Sequence, residues 1–164
     1  MILTRQASES DSENVYKLYL ELLKSHPNAF IDSYNNELKK GVIDWTNDFT
    51  KNQIVIFLAE ENENIIGMLA LGYHDKDTNT PYVTKMGILP QYESKGVGSE
   101  LLKDSIKYAS KLPAKELRLF VMADMDKTIS FYIKFGFTVL ENLKNDIIDH
   151  TGKMRDVSIM QKVL

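Results

Sequence analysis

Residues 89–99 read Leu-Pro-Gln-Tyr-Glu-Ser-Lys-Gly-Val-Gly-Ser and join a predicted strand to a predicted helix. The strand covers residues 82–89 and is stopped by Pro90, which lacks a backbone N–H group. The helix begins near Val97, because apolar residues then recur at helical spacing. Free N–H groups at a helix start attract anions, and the two glycines let a phosphate approach the backbone closely. The turn therefore fits a pyrophosphate-bearing ligand, to which Lys95 would add a point charge.

Two better-known phosphate-binding motifs do not match this turn. A Walker loop requires GxxxxGK[ST], which the chain does not contain. A dinucleotide fingerprint requires GxGxxG almost directly after a strand, but Leu101 occupies the third glycine position and Pro90 with five further residues intervenes. A lone GxG shapes a turn more often than it holds a ligand, so Gly96 and Gly98 alone leave that simpler interpretation open.

The segments around this turn alternate between the two-residue period of strands and the 3.6-residue period of helices. Strands are predicted at residues 2–5, 54–59, 65–73, 82–89, 117–122, 137–140 and 157–164. Helices are predicted from Ser10 to a stop at residues 26–28, from about 33 to about 49, from Val97 to Pro113, and from Asp124 or Asp126 to Gly136. This order indicates a mixed α/β sheet with one βαβ crossover between Tyr82 and Met122.

Individual residues mark the ends and the buried faces of these elements. Ser10 and Glu13 have the spacing of a capping box, and Gly136 permits a left-handed turn at a helix end. Gly67 and Gly72 are candidates for bulges or for close approach of two segments. Polar turns or loops are predicted at residues 62–64, 75–80 and 143–155. The apolar face of the first helix consists of Val15, Leu18, Tyr19, Leu22 and Leu23.

Composition excludes several classes of function. The 164 residues, 43% of them hydrophobic, fit a single globular domain spanning residues 1–164. The net charge of −3 comes from mixed charges without a basic face, so nucleic acid is not expected as a partner. The absence of cysteine removes disulfides, thiolate metal sites and a cysteine nucleophile, and the three dispersed histidines make a metal site improbable. No leader or membrane span is recognisable, which predicts a cytoplasmic protein away from the membrane.

A second motif lies one βαβ unit after the glycine turn. Residues 128–137 read Thr-Ile-Ser-Phe-Tyr-Ile-Lys-Phe-Gly-Phe, which resembles the A-x-x-F-Y-x-x-x-G-F helix of the GCN5-related N-acetyltransferases (GNAT). The glycine turn resembles the same family's acetyl-coenzyme A loop, Arg/Gln-x-x-Gly-x-Gly/Ala. The resemblance covers nearly the whole chain. It implies the GNAT fold, a central, mostly antiparallel twisted sheet of about seven strands with four helices.

The resemblance also implies a set of site residues, with acetyl-coenzyme A (acetyl-CoA) as the co-substrate and no metal. Tyr132 would lie near the thioester sulfur and act as the acid that protonates the leaving thiolate. The pantetheine arm would pair with backbone groups of Met86, Gly87 and Ile88, and would lie beside Thr128 and Phe131. The pyrophosphate would be held by Ser94, Lys95, Gly96, Val97, Gly98 and Ser99.

The implied activity is acetyl transfer to a primary amine of a small molecule or a protein. Direct attack by the amine is expected, because no cysteine can carry the acetyl group. Three departures from the family pattern stand out: Glu93 replaces the Arg/Gln of the loop, Met125 replaces an Asn, and residues 82–88 contain no carboxylate or histidine. We expect the Glu93 side chain to point outward. Glu60, His74 and Asp124 are the unranked candidates for the general base.

Other interpretations remain open at this point. The chain could be a non-catalytic acyl-CoA-binding or sensing domain, or an interaction domain without a ligand, and it could form a homodimer through its last strands. Tyr132 could be a core residue. Acceptor contacts are expected from residues 26–34 and 143–155, and the acceptor could be a polyamine, an aminoglycoside, an amino acid or a protein amino group. The aromatic side chains that could line an acceptor pocket, or simply pack a helix on the sheet, are Phe30, Tyr34, Trp45 and Phe49.

Overall fold

The structure is a computed structural model that describes residues 1–51, 54–74 and 77–164, with the side chains of 48, 49, 77 and 78 excepted. Within these residues it contains seven strands and four α-helices. The strands are β1 (Ile2–Gln6), β2 (Val55–Glu61), β3 (Asn64–His74), β4 (Asp77–Ile88), β5 (Glu116–Met122), β6 (Thr138–Ile148) and β7 (Met154–Val163). The helices are α1 (Ser12–Ser25), α2 (Tyr34–Lys51), α3 (Val97–Ala109) and α4 (Asp126–Lys134).

The seven strands form one sheet in the order β1-β2-β3-β4-β5-β7-β6. Every neighbouring pair is antiparallel except β4 and β5, which are parallel and are connected through α3. Parallel neighbours require such a crossover, because a tight turn cannot join them. The predicted fold class, a mixed and mostly antiparallel sheet with four helices and one βαβ crossover, is confirmed.

The sheet buries a separate apolar cluster on each face. One cluster joins α1 and α2 to the sheet, and the other joins α3 and α4 to it. The predicted face of α1 is confirmed, since Val15, Leu18, Tyr19, Leu22 and Leu23 are all buried. No helix in the described ranges is long and apolar enough to cross a bilayer.

The start of α1 differs from the prediction. The capping box is formed by Ser8 and Asp11 around a short 3₁₀ turn, and the α-helix begins at Ser12 instead of after a box of Ser10 and Glu13. Asp11 accepts hydrogen bonds from the Ser8 backbone N–H at 2.7 Å and from Arg5 at 2.8 Å. The hydrogen bonds from Arg5 and Ser8 hold the pKa of Asp11 well below its usual range. The tertiary partner Arg5, on β1, therefore favours the earlier box.

Two predicted loops are largely strand. Asp77–Thr80, predicted as part of a turn, belongs to β4, whereas Asp75 and Lys76 lie outside the described residues. The predicted loop at 143–155 shrinks to a turn between β6 and β7, in which the Asp149 carboxylate accepts hydrogen bonds from the N–H groups of Thr151 and Lys153. The second segment reads as a loop because β6 is an edge strand with most of its side chains exposed, so residues 143–148 include several polar positions.

Candidate active site

A cleft opens between β4 and β5 because the two strands pair over a very short length. They pair only at Tyr82↔Arg118 and Val83↔Leu119. Just beyond this point β4 has a bulge, since Val83 and Lys85 face consecutive residues of β3 and Thr84 is extra. A bulge bends its strand and increases the local twist. Residues 84–88 of β4 consequently have no partner strand on the side of β5.

The backbone of β4 presents two residues to this cleft. The Leu89 N–H donates to the Ile66 carbonyl of β3 at 2.9 Å. Because bonding directions alternate along an antiparallel strand, the N–H and C=O groups of Met86 and Ile88 point away from β3, into the cleft. Gly87, which the sequence placed with them, directs its backbone groups to β3. A Cβ atom at Gly87 would lie 2.8 Å from Cδ1 of Leu22, so the glycine lets α1 pack closely behind the cleft.

The glycine turn lies at the same end of the cleft. Ser94 has φ 59° and Gly96 has φ 82°, which curls the chain into the start of α3. No side chain caps this helix, and the N–H groups of a first helical turn have no intrahelical acceptor. Those of Val97, Gly98 and Ser99 are therefore available to an anion. A Cβ atom at Gly98 would lie 3.2 Å from Cε of Met86, so this glycine lets the helix start approach β4.

The two charged side chains of the turn, Glu93 and Lys95, contact side chains instead of the first turn of α3. Lys95 is exposed, and its Nζ lies 4.9 Å from the centre of the Tyr92 ring. Glu93 places Oε1 3.2 Å from Nε2 of His26, at the end of α1. The carboxylate is thus directed to His26, away from the amides of α3, as expected for an outward-pointing side chain.

Helix α4 forms the opposite wall of the cleft. Neither Asp124 nor Asp126 caps it, because Met125 is the N-cap residue and no side-chain cap bond forms. Its end is as predicted, with Gly136 at φ 84°. Thr128 and Phe131 are partly buried, and the Phe131 ring lies 3.7 Å from the place of a Cβ atom at Gly98. Of the predicted coenzyme residues, Met86, Ile88, Gly98 and Phe131 therefore border one cleft, whereas the Gly87 backbone faces β3 and Lys95 lies against Tyr92.

Tyr132 is buried, yet its hydroxyl has a weak hydrogen-bond partner. It is 7% exposed, and its hydroxyl donates to the sulfur of Met86 at 3.5 Å. A thioether is a poor acceptor, so the donor is available to a stronger one at this place. Burial raises the pKa of Tyr132, which keeps the hydroxyl protonated at neutral pH. The backbone N–H group of Met86 also points into the cleft, so Met86 and Tyr132 each offer a donor there.

Two of the three candidate bases are engaged in ion pairs. Glu60 accepts from Nη2 of Arg5 at 2.6 Å, between β1 and β2. Both oxygens of Asp124 accept from Nη2 of Arg155, at 2.7 and 2.9 Å. Arg155 in turn reaches the buried Asp149. These carboxylates hold structural elements together and are poorly placed to take a proton from an amine.

The third candidate, His74, lies at the end of the cleft where β4 and β5 pair, away from Met86. Its ring is 6.0 Å from those of Tyr82 and Phe120, where β4 and β5 are still paired. Met86 faces Leu69 of β3, five residues from His74, which corresponds to roughly 16 Å along an extended strand. The structure does not bring the three candidates together.

We expect replacement of these candidates to leave the pH dependence of the reaction unchanged. In Glu60→Gln, His74→Ala and Asp124→Asn, the midpoint of the acidic limb of kcat/KM should match that of the parent protein. Unfolding midpoints serve as the control, since loss of an exposed ion pair costs about 1 kcal/mol or less. A variant that loses its acidic limb would identify that residue as the base.

The sequence prediction missed a charged cluster beside the cleft. Lys85, next to Met86 on β4, donates to Oδ2 of Asp32 at 2.8 Å, and the Tyr19 hydroxyl donates to the same oxygen at 2.6 Å. Burial acts to raise the pKa of Asp32, but the charge and hydrogen bond of Lys85 and the Tyr19 bond lower it overall. Asp32 is therefore an anion. Asp32 and Lys85 are 53 positions apart in the chain, so no local sequence pattern indicates that they pair.

The cluster borders a cavity of about 180 Å³ that joins two segments predicted to contact an acceptor. His150, from the turn between β6 and β7, faces residues that follow α1 across it. Of the aromatic residues expected to line an acceptor pocket, Tyr34 lines the cavity. Phe30 and Trp45 pack on Tyr19 instead. The side chain of Phe49 lies outside the described residues. The lining consists of Leu23, Pro27, Asp32, Ser33, Tyr34, Asn35 and His150.

This chain matches a family model and is similar to proteins of known activity. A model of the acetyltransferase (GNAT) family matches residues 14–137. Mycothiol acetyltransferase of Corynebacterium glutamicum (strain R) is 30% identical over 95 residues, which are 58% of this chain and 32% of that protein. N-alpha-acetyltransferase 50 of Danio rerio is 27% identical over 115 residues, 69% of this chain and 64% of that protein. The chain thus spans about a third of the first relative and somewhat under two thirds of the second.

Solved structures share the fold over the whole chain. Arabidopsis thaliana NAA60 in complex with acetyl-CoA superposes with a TM-score of 0.77 at 18% identity and covers 100% of this chain and 99% of its own. Within the described residues, no group of three or more His, Asp or Glu side chains is arranged to hold a metal ion.

Proposed function

Because this chain belongs to the acetyltransferase (GNAT) family, we propose that it transfers the acetyl group of acetyl-CoA to a primary amine. One observation carries the proposal: the free edge of β4 and the free amides of α3 open into the same cleft. An extended amide-containing arm can pair with the first as an added strand. A pyrophosphate can bind to the second.

In this proposal each wall of the cleft has a separate task. Met86 and Ile88 pair with the pantetheine arm, and the Met86 N–H is placed to stabilise the oxyanion that forms at the acetyl carbon. The amides from Ser94 to Ser99 bind the pyrophosphate. Tyr132 supplies a hydrogen bond or a proton to the departing thiolate. The attacking amine must be neutral, so its ammonium form releases one proton to water before attack. When the tetrahedral intermediate collapses, the nitrogen loses a second proton to water, and the departing thiolate takes up one proton from Tyr132, which water restores.

The acceptor amine is proposed to bind on the α1 side of β4. Asp32 borders the cavity there, and its carboxylate could accept a hydrogen bond from an ammonium group, although its pairing with Lys85 leaves the cluster with little net charge. The relatives' names point to different acceptors, mycothiol in one and N-alpha amino groups in the other. We therefore propose a primary amine of a small molecule or a protein, without narrowing it further.

The rival proposal is a domain that binds acyl-CoA without catalysis. It is favoured by the engagement of Glu60 and Asp124 in ion pairs. It predicts coenzyme binding without release of free thiol on any amine. The available donor of Tyr132 at the cleft favours the enzyme, because a binding domain has no use for an acid there.

Calorimetric titration with acetyl-CoA tests the proposal, with desulfo-CoA as the control for binding that does not involve the sulfur. We expect a dissociation constant on the order of micromolar, followed by thiol release with a panel of amines. Saturation should be visible with protein on the order of 0.1 mM. Absence of binding at that concentration would exclude both the enzyme and the sensing domain.

Three finer expectations belong to the same proposal. We propose that residues 1–164 act as one domain, supported by the single sheet, and that the protein works in the cytoplasm with acetyl-CoA. A homodimer through the last strands is supported by exposed apolar side chains of β6 and β7, among them Leu140, Ile148 and Val163. Light scattering measures the dimer directly.

A further inference from the structure

The loop beside the amides of α3 contains a carboxylate that opposes the ligand proposed for it. Glu93 immediately precedes Ser94, and its side chain is 51% exposed. The pyrophosphate of acetyl-CoA is an anion, so a freely rotating Glu93 would repel it. The charge is located where the GNAT loop has Arg or Gln.

A free Glu93 would also compete for the same donors. Carboxylates are stabilised at helix N-termini, where they accept from first-turn N–H groups. The start of α3 has no side-chain cap, and Gly96 has no side chain that could provide one. Glu93 lies three residues before Gly96, within reach of this helix start, so only a competing interaction would keep its carboxylate away.

His26 provides that interaction. Its Nε2 lies 3.2 Å from Oε1 of Glu93 and 3.3 Å from the carbonyl oxygen of Ile88. Both neighbours are acceptors, so Nε2 is the nitrogen that bears the proton. The Ile88 carbonyl has two lone pairs and can accept from His26 and from a ligand together. His26 ends α1 and is 27% exposed, so the imidazole is held between the two neighbours.

We propose that His26 is a positioning residue that holds the Glu93 carboxylate away from the pyrophosphate site and thereby sets the affinity for acetyl-CoA. The inference rests on the proposed coenzyme binding and assigns a role to a residue outside the cofactor motifs. It also explains how the loop tolerates an acid: the sequence departure at Glu93 is compensated by a histidine 67 positions earlier in the chain.

A double-mutant cycle tests it, with the dissociation constant of acetyl-CoA measured by calorimetry. We expect His26→Ala to raise this constant about tenfold, the size of a like-charge contact near a protein surface. Glu93→Gln should leave it unchanged or lower it slightly. The double variant should return to within about twofold of the parent, because the repelling charge is gone. His26→Gln, which retains an N–H donor near the position of Nε2, should retain the affinity.

Two further measurements separate charge from structure. Lys17→Ala, which breaks an exposed ion pair with Glu13 on the same helix α1, is the control and should bind acetyl-CoA as the parent does. The His26→Ala defect should be absent in kcat/KM for S-acetylpantetheine, which lacks the pyrophosphate. An equal loss with both donors, or a double variant as weak as His26→Ala, would overturn the inference while leaving the proposed function intact. Failure of the parent to bind acetyl-CoA would overturn both.

Discussion

Replacement of Tyr132 by Phe is expected to lower kcat on the order of 100-fold without weakening acetyl-CoA binding. The change removes the hydroxyl that donates to the sulfur of Met86. A positioned acid contributes about 10² to 10⁴ in rate, and the lower value suits a group that also acts as a hydrogen-bond donor. Single-turnover kinetics with saturating acetyl-CoA would measure the effect.

Two controls make this result specific. Tyr108→Phe removes a hydroxyl from a residue of α3 and should leave kcat unchanged. The Tyr108 ring packs on Phe57, on the same face of the sheet as α4. Because burial raises the pKa of Tyr132, no alkaline limb from its ionisation is expected below pH 10. Full turnover in Tyr132→Phe would show that the side chain serves packing alone.

Replacement of Leu22 by Ala is expected to lower the free energy of unfolding by about 2–5 kcal/mol. Leu22 is fully buried in α1, and its Cδ1 lies 2.8 Å from the place that a Cβ atom at Gly87 would take. The truncation leaves a cavity directly behind the free edge of β4. We therefore expect weaker acetyl-CoA binding as well, since α1 supports the strand that pairs with the arm.

Urea denaturation followed by circular dichroism measures this change. Leu3→Ala is the matched control, because the same truncation at a side chain that is 61% exposed should alter the free energy by about 0.5 kcal/mol or less. Equal stability of Leu22→Ala and the parent protein would mean that α1 does not brace β4 as the packing indicates.

Local patterns were enough to predict the order of the elements. Helical spacing identified the buried face of α1, and Gly136 identified the end of α4. The glycine turn and the later helix were recognisable because phosphate binding and helix packing impose small residues at set intervals. The expectation that Glu93 points outward also agrees with the structure.

Errors arose where a contact between distant residues outweighs a local pattern. Arg5 favours a capping box at Ser8 over the one expected at Ser10. Arg155 pairs with Asp124, which was one of the two residues expected to cap α4. Arg155 lies on β7, 31 positions after Asp124, so no local pattern indicates that pairing, whereas Arg5 lies on β1 only six positions before Asp11.

By itself, the sequence determined the order of elements and the fold family, since these depend on spacing within one segment; the coenzyme residues that it names stay a proposal. Only the tertiary structure decided which charges are free. It paired Glu60 with Arg5, Asp124 with Arg155 and Asp32 with Lys85, and it brought His26 to Glu93. The physical reason is that a side chain's charge and hydrogen bonds depend on its neighbours in space, which the sheet assembles from segments far apart in the chain.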